Sequence, residues 1–123
     1  MSEDQTSPAA AAVRMERSGA VAVIEICNPP VNAASQAVRA GIVAALHESA
    51  ADPAIAAIVL TGAGKTFVAG ADIREFDGPL LEPYLPSVCA AIEENPKPVV
   101  AALNGAALGG GCELALAAHA SSR

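Results

Sequence analysis

Glu113 follows three consecutive glycines, Gly109, Gly110 and Gly111, where an apolar run gives way to a helical pattern. A carboxylate in the first turns of a helix is favoured in its ionised form by the positive end of the helix dipole, which suits it to accept a proton. Plain stability selects the same placement, because an acidic side chain near a helix start complements the unpaired N–H groups there. Both readings stay open on spacing alone. A second turn, Ala69-Gly70-Ala71-Asp72-Ile73, also follows an apolar run, and Asp72 with Glu75 has capping-box spacing, which predicts a helix start at Ala69 to Ile73. Two helix starts facing one another can hold an oxygen that gains negative charge, since each presents unpaired backbone donors. Tight turns and close packing are the simpler account of the same glycines.

Other chemistries fit less well. Gly64-Lys65-Thr66 resembles the end of a phosphate-binding loop, but the glycine needed five positions before the Gly-Lys pair is Val59, and no helix pattern begins directly after Thr66. The run from Gly105 to Gly111 has Ala107 where a dinucleotide fingerprint needs glycine. His47 and His119 have no partners at metal-ligand spacing, so no metal is expected. The three cysteines, Cys27, Cys89 and Cys112, are odd in number and form no C-x-x-C pair. This fits a reducing compartment, read as cytoplasmic, with Cys112 a small core residue.

The elements that must position these residues follow from the rest of the pattern. The 123 residues are 53% hydrophobic and 16% charged, a balance for a packed core rather than a disordered tail. That core is built from 30 alanines with only two Phe, one Tyr and no Trp. Seven Lys+Arg against 13 Asp+Glu give a net charge of −6, the wrong sign for binding nucleic acid. No apolar run is long enough to span a membrane. Residues 1–12 lack a basic signal-like start and read as a disordered tail, leaving 13–123 as the folded part. A hairpin is expected from Val13 to Arg17 and Val21 to Ile26. A helix follows from Ser35 as N-cap, carries Val38, Ile42 and Leu46 on one stripe, and stops at Asp52-Pro53. A strand buried on both faces is predicted from Ile55 to Thr61, a helix from Pro79 to Glu94, a further buried strand from Val99 to Leu103, and a helix from Cys112 to His119. This order defines an α/β chain with parallel pairing. The chain ends after the last helix, where a next strand would be due, so a fragment with an open sheet edge is expected.

Four segments carry a family resemblance: Asn28-Pro29-Pro30-Val31-Asn32-Ala33, Ala69-Gly70-Ala71-Asp72-Ile73, Asn95 to Gly105, and Leu108-Gly109-Gly110-Gly111-Cys112-Glu113-Leu114-Ala115. In order and approximate spacing they resemble the enoyl-CoA hydratase (crotonase) family, most of all the N-terminal hydratase part of multifunctional β-oxidation enzymes. The resemblance covers residues 13–123. It implies a crotonase-like fold of repeated β-β-α units, incomplete here as the N-terminal half of the domain. It also implies an oxyanion hole made by the N–H groups of Ala69 and Gly110, and a CoA site lined by Ala69, Gly70, Ala71, Asp72 and Gly110. Glu113 would be one of two catalytic glutamates that activate the water added to a 2-enoyl-CoA, the second lying beyond Arg123, with Asp72 a cap rather than an acid. His119-Ala120-Ser121-Ser122-Arg123 replaces the Asp-x-Arg-like strand start usual in the family.

The implied partner is an acyl-CoA thioester, with no cofactor beyond it, in a homo-oligomer or a larger multifunctional chain. An enoyl-CoA isomerase and a non-catalytic CoA-thioester-binding fragment are the alternatives. Lys65, Lys97, Arg74 and Arg39 are candidates for the CoA phosphates, with solvated charge the default for each.

Overall fold

The computed structural model describes residues 12–70, 75, 78–79, 81–108 and 110–122. The tail assigned to residues 1–12 therefore lies outside the description, apart from Ala12. Strands β1 (Val13–Ser18) and β2 (Val21–Ile26) form the expected hairpin. Helix α1 (Gln36–Ala51) follows, then β3 (Ala57–Gly62), β4 (Thr66–Ala69), α2 (Leu85–Glu93), β5 (Val99–Ala102), β6 (Ala106–Leu108), α3 (Gly110–Ala117) and β7 (Ala120–Ser122). Five strands make one sheet in the order β1-β2-β3-β5-β7, parallel except for the antiparallel β1. The short strands β4 and β6 pair with each other in a separate two-stranded sheet.

Alternation along the strands decides where the core sits. Ala22, Ile24 and Ile26 of β2, Ile58 and Leu60 of β3, and Val99 and Ala101 of β5 are buried, together with Val38, Ile42 and Leu46 of α1, Val88 and Ile92 of α2, Leu114 of α3, and Phe67 and Val68 of β4. The other row is only half-buried: Val23, Val59 and Val100 lie side by side across β2, β3 and β5. The expectation of strands buried on both faces is thus corrected for β3 and β5. A continuous apolar run does not distinguish two covered faces from one.

Two helix boundaries also move, and a strand is added. Helix α2 begins at Leu85 rather than Pro79, after Tyr84 as N-cap with Pro86 inside its first turn, a position that proline accepts because the N–H it lacks has no helical partner. Helix α3 ends at Ala117, so His119 lies outside it. The expected missing strand is present: β7 pairs in parallel with β5. His119 sits at that turn. Its backbone N–H donates to the Val99 carbonyl, its Nδ1 accepts the Val99 N–H at 3.0 Å, and its Nε2 lies 3.0 Å from the Glu93 carbonyl. The short Ala-Ser-Ser of Ala120–Ser122 has no strand signature of its own; pairing with β5 makes it one.

The two ends of α1 are closed by different means. Ser35 Oγ accepts the Val38 N–H at 3.2 Å, as its N-cap position predicts. At the other end, Lys97 Nζ donates to the carbonyls of Ser49, at 2.7 Å, and Asp52. Asn95 Nδ2 donates to Leu46 O at 3.4 Å, and Asn95 Oδ1 accepts the Lys97 N–H at 2.9 Å. A cation on the last carbonyls of a helix satisfies acceptors and opposes the dipole. Lys97 is therefore a helix cap, not a phosphate ligand. Lys97→Met is expected to lower stability by about 1–2 kcal/mol while leaving CoA-thioester affinity unchanged. Urea unfolding and a binding titration check the two halves, and a loss of affinity without a loss of stability would return Lys97 to the ligand.

Candidate functional site

The candidate site is built around β4, a strand of four residues held by neighbouring backbone, by two asparagine amides and by its own buried side chains. Its turn is fixed first. Asn32, only 3% exposed and in the left-handed region at φ 54°, donates from Nδ2 to Ala63 O (3.1 Å) and Thr66 O (2.8 Å) and accepts the Asn28 N–H at Oδ1 (2.8 Å). Asparagine tolerates that backbone conformation better than other residues with a Cβ, and its amide here also replaces turn hydrogen bonds. From the opposite side Asn104 donates from Nδ2 to Gly64 O (2.8 Å) and accepts the Gly62 N–H (3.3 Å). Two amides thus grip the turn between β3 and β4.

Close approach then fixes the strand itself. A Cβ on Gly105 would stand 1.8 Å from Lys65 O, and one on Gly111 would stand 2.0 Å from Val68 O. No side chain fits at either place. The peptide unit between Val68 and Ala69, whose nitrogen is the first expected oxyanion donor, is therefore pressed against the first turn of α3. The register agrees: Ala69 stands opposite Leu108 in the β4–β6 pair, and Gly110 begins α3 two residues later.

Gly110 is the first residue of α3, so its N–H is one of the donors a helix cannot pair internally. Glu113 is three residues further along the same helix, close to one turn, which places it on the flank of Gly110. Gly70 follows β4 directly, and its carbonyl accepts the Ala34 N–H at 2.9 Å. Ala71 and Asp72 lie outside the described residues. The structure thus brings Ala69, Gly70, Gly110 and Glu113 to one end of the β4–β6 pair.

Other expectations are corrected. The helix start expected at Ala69 to Ile73, with Asp72 and Glu75 as a capping box, lies mostly outside the described residues; the Glu75 carboxylate accepts the Gln36 N–H at 2.7 Å and pairs with Arg39 at 3.3 Å. Arg39 is buried in that network and unavailable to CoA phosphates. Lys65 stays exposed at the β3–β4 turn, and Arg74 lies outside the described residues. His47 is exposed on α1, and no group of three His, Cys, Asp or Glu that could hold a metal occurs among the described residues. Sequence reasoning quoted Asn32 and Asn104 only as parts of motifs and missed their positioning work. The signals were a buried-type asparagine ending Asn28-Pro29-Pro30-Val31-Asn32 and an Asn-Gly pair closing a strand.

Residues 16–121 match the family model described as enoyl-CoA hydratase/isomerase, and the chain belongs to that family. Among similar proteins, the peroxisomal bifunctional enzyme of Danio rerio is 52% identical over 99 residues, covering 80% of this chain and 14% of that protein. A probable enoyl-CoA hydratase of Bacillus subtilis is 42% identical over 106 residues, covering 80% of this chain and 41% of that protein. Among solved structures, an enoyl-CoA hydratase from Bacillus anthracis superposes with a TM-score of 0.81 at 30% identity, over 89% of this chain and 46% of that one. A carnitinyl-CoA dehydratase from Mycobacterium avium gives a TM-score of 0.79 at 42% identity, again over 89% and 46%. The fold is therefore a partial crotonase-type α/β domain. The chain spans less than half the length of these relatives. No helix among the described residues is long and apolar enough to cross a membrane.

The contact at Gly111 gives a direct test of the site's construction. Gly111→Ala drives a methyl group into the Val68 carbonyl, so β4 and α3 must separate, at a cost of about 3 kcal/mol or more, the upper end for overpacking. An unchanged unfolding midpoint would show that α3 does not bear on β4 as described.

Proposed function

We propose that this chain carries the oxyanion hole and one of the two carboxylates of an enoyl-CoA hydratase, which adds water across the C2–C3 double bond of 2-enoyl-CoA thioesters in fatty-acid β-oxidation. The observation that carries the reading is the register of β4 on β6. In that register Ala69 stands opposite Leu108, two residues before α3 begins at Gly110, which supports reading their N–H groups as a pair of donors. In the reaction, water oxygen bonds to C3 while the C2–C3 π pair moves toward the thioester carbonyl, whose oxygen gains the charge. The N–H groups of Ala69 and Gly110 stabilise that charge, and donors fixed in advance need no reorganisation to do so. Gly70, Ala71 and Asp72 line the CoA site beside them.

Glu113, near the start of α3 where the helix dipole favours a carboxylate, holds and deprotonates the water together with a second carboxylate; C2 then takes up a proton. Carbonyl polarisation and carboxylate proton transfer call for no metal and no cofactor beyond the thioester substrate. The names of the relatives support action on CoA thioesters and, for the bifunctional enzymes, a place within a larger multifunctional chain; a homo-oligomer is the alternative arrangement. The free thiol of Cys27 supports a reducing compartment, which we take to be the cytoplasm.

Two substitutions in the full-length protein test the assignment. Gly110→Pro removes one donor at the first helical position, where proline is accommodated, and should cut turnover of a short 2-enoyl-CoA by about 10²–10³-fold with α3 retained. Glu113→Gln should slow hydration by roughly 10²–10⁴-fold while changing stability by no more than about 1 kcal/mol and leaving thioester binding largely intact. Near-normal hydration by a folded Glu113→Gln protein would reduce Glu113 to a helix-stabilising residue.

A further inference from the structure

Helix α1 grips the chain after β4 at both ends. At the near end, the Ala34 N–H donates to Gly70 O at 2.9 Å. In the middle, the Gln36 N–H donates to Glu75 Oε2 at 2.7 Å. At the far end, Gln36 Nε2 donates to Glu82 O at 2.9 Å. The centre of the grip is the Arg39 guanidinium, 7% exposed. Its Nη1 donates to Ala34 O (2.7 Å) and Glu75 Oε1 (3.3 Å), its Nε to Pro83 O (2.7 Å), and its Nη2 to Leu81 O (2.9 Å).

A buried guanidinium is costly unless its donors are satisfied in fixed directions, and its planar fork fixes the directions of the groups it satisfies. Here those groups come from three stretches: the lead-in to α1, residue 75, and residues 81–83. The first of them is tied in turn to Gly70, the residue next to the Ala69 donor.

We propose that Arg39 and Glu75 are positioning residues for the thioester-polarising donor at Ala69. They hold Ala34 to α1, and Ala34 in turn holds the Gly70 carbonyl, so that the Ala69 peptide is fixed from the residue that follows it. The strand needs this because it is four residues long and its sheet has only two strands. This inference rests on the oxyanion reading of Ala69, and a misplacement of about 1 Å at such a donor can cost up to about 10²-fold in rate.

The test uses the full-length protein with Glu75→Gln, Arg39→Lys and Arg39→Met. The readouts are steady-state turnover of a 2-enoyl-CoA and the absorption of a bound arylacryloyl-CoA, whose band moves to the red when its carbonyl accepts hydrogen bonds. Glu75→Gln keeps an oxygen acceptor but removes the charge opposite Arg39. It should lower kcat by about 10–10²-fold with KM changed only a few-fold, and should shrink the red shift. Arg39→Lys should recover part of what Arg39→Met loses. A purely structural role would lower the melting temperature and leave kcat and the red shift of the folded protein unchanged, which overturns the proposal. If Arg39→Met does not fold, the other two variants decide it by the same readouts. A wild-type protein that shows no red shift overturns the oxyanion reading as well; a normal wild-type shift kept in full by folded variants overturns the positioning role alone.

Discussion

Backbone approach to β4 at distances that admit no side chain is the constraint on which the rest of this structure depends. Gly105 meets Lys65 O and Gly111 meets Val68 O where a Cβ would overlap both. Strand β4 is too short to be held by its own ladder, and a two-stranded pair is marginal by itself. It is held instead by contact: Gly105 against the turn, α3 against its end, and the amides of Asn32 and Asn104 on the carbonyls before it. Phe67 and Val68 complete the hold by entering the core with no exposed surface.

The same closeness is what the proposed chemistry requires. A helix start offers its unpaired donors only over the first turn, and its dipole fades within that distance. For α3 to act together with a strand donor, the strand must come within the reach of a backbone contact, and only glycine at position 111 allows that. Glycine here serves geometry and electrostatics at once. Asparagine at 32 and 104 plays the complementary part, supplying directional donors where the turn between β3 and β4 leaves carbonyls without partners.

Charged residues are used mainly for construction. Lys97 closes the C-terminal end of α1, and Arg39 with Glu75 ties its N-terminal end to the segment after β4. The only other ion pairs among the described residues, Arg14 with Glu25 and Arg17 with Asp52, are exposed and contribute little. The net charge of −6 thus says little about the site, where the groups we propose to act are backbone dipoles and one glutamate.

Local signals determined a good part of this protein. The hairpin, α1 with its Ser35 cap and Asp52 stop, and the parallel strands β3 and β5 were legible because periodicity and capping chemistry act over a few residues. Ala69 closes β4 and Gly110 opens α3, while the helix start expected at Ala69 to Ile73 falls mostly outside the described residues. What only the tertiary structure decided involved partners distant in sequence. Strands β4, β6 and β7 are three or four residues each, too short for a periodic pattern, and are strands only because a neighbour pairs with them. The half-open face of β3 depends on what packs over it, which an apolar run does not encode. Lys97 and Arg39 looked like surface cations because charge type is local information; their roles come from carbonyls 48 and 42 residues away in the chain, brought within hydrogen-bond reach only when the sheet and α1 close together.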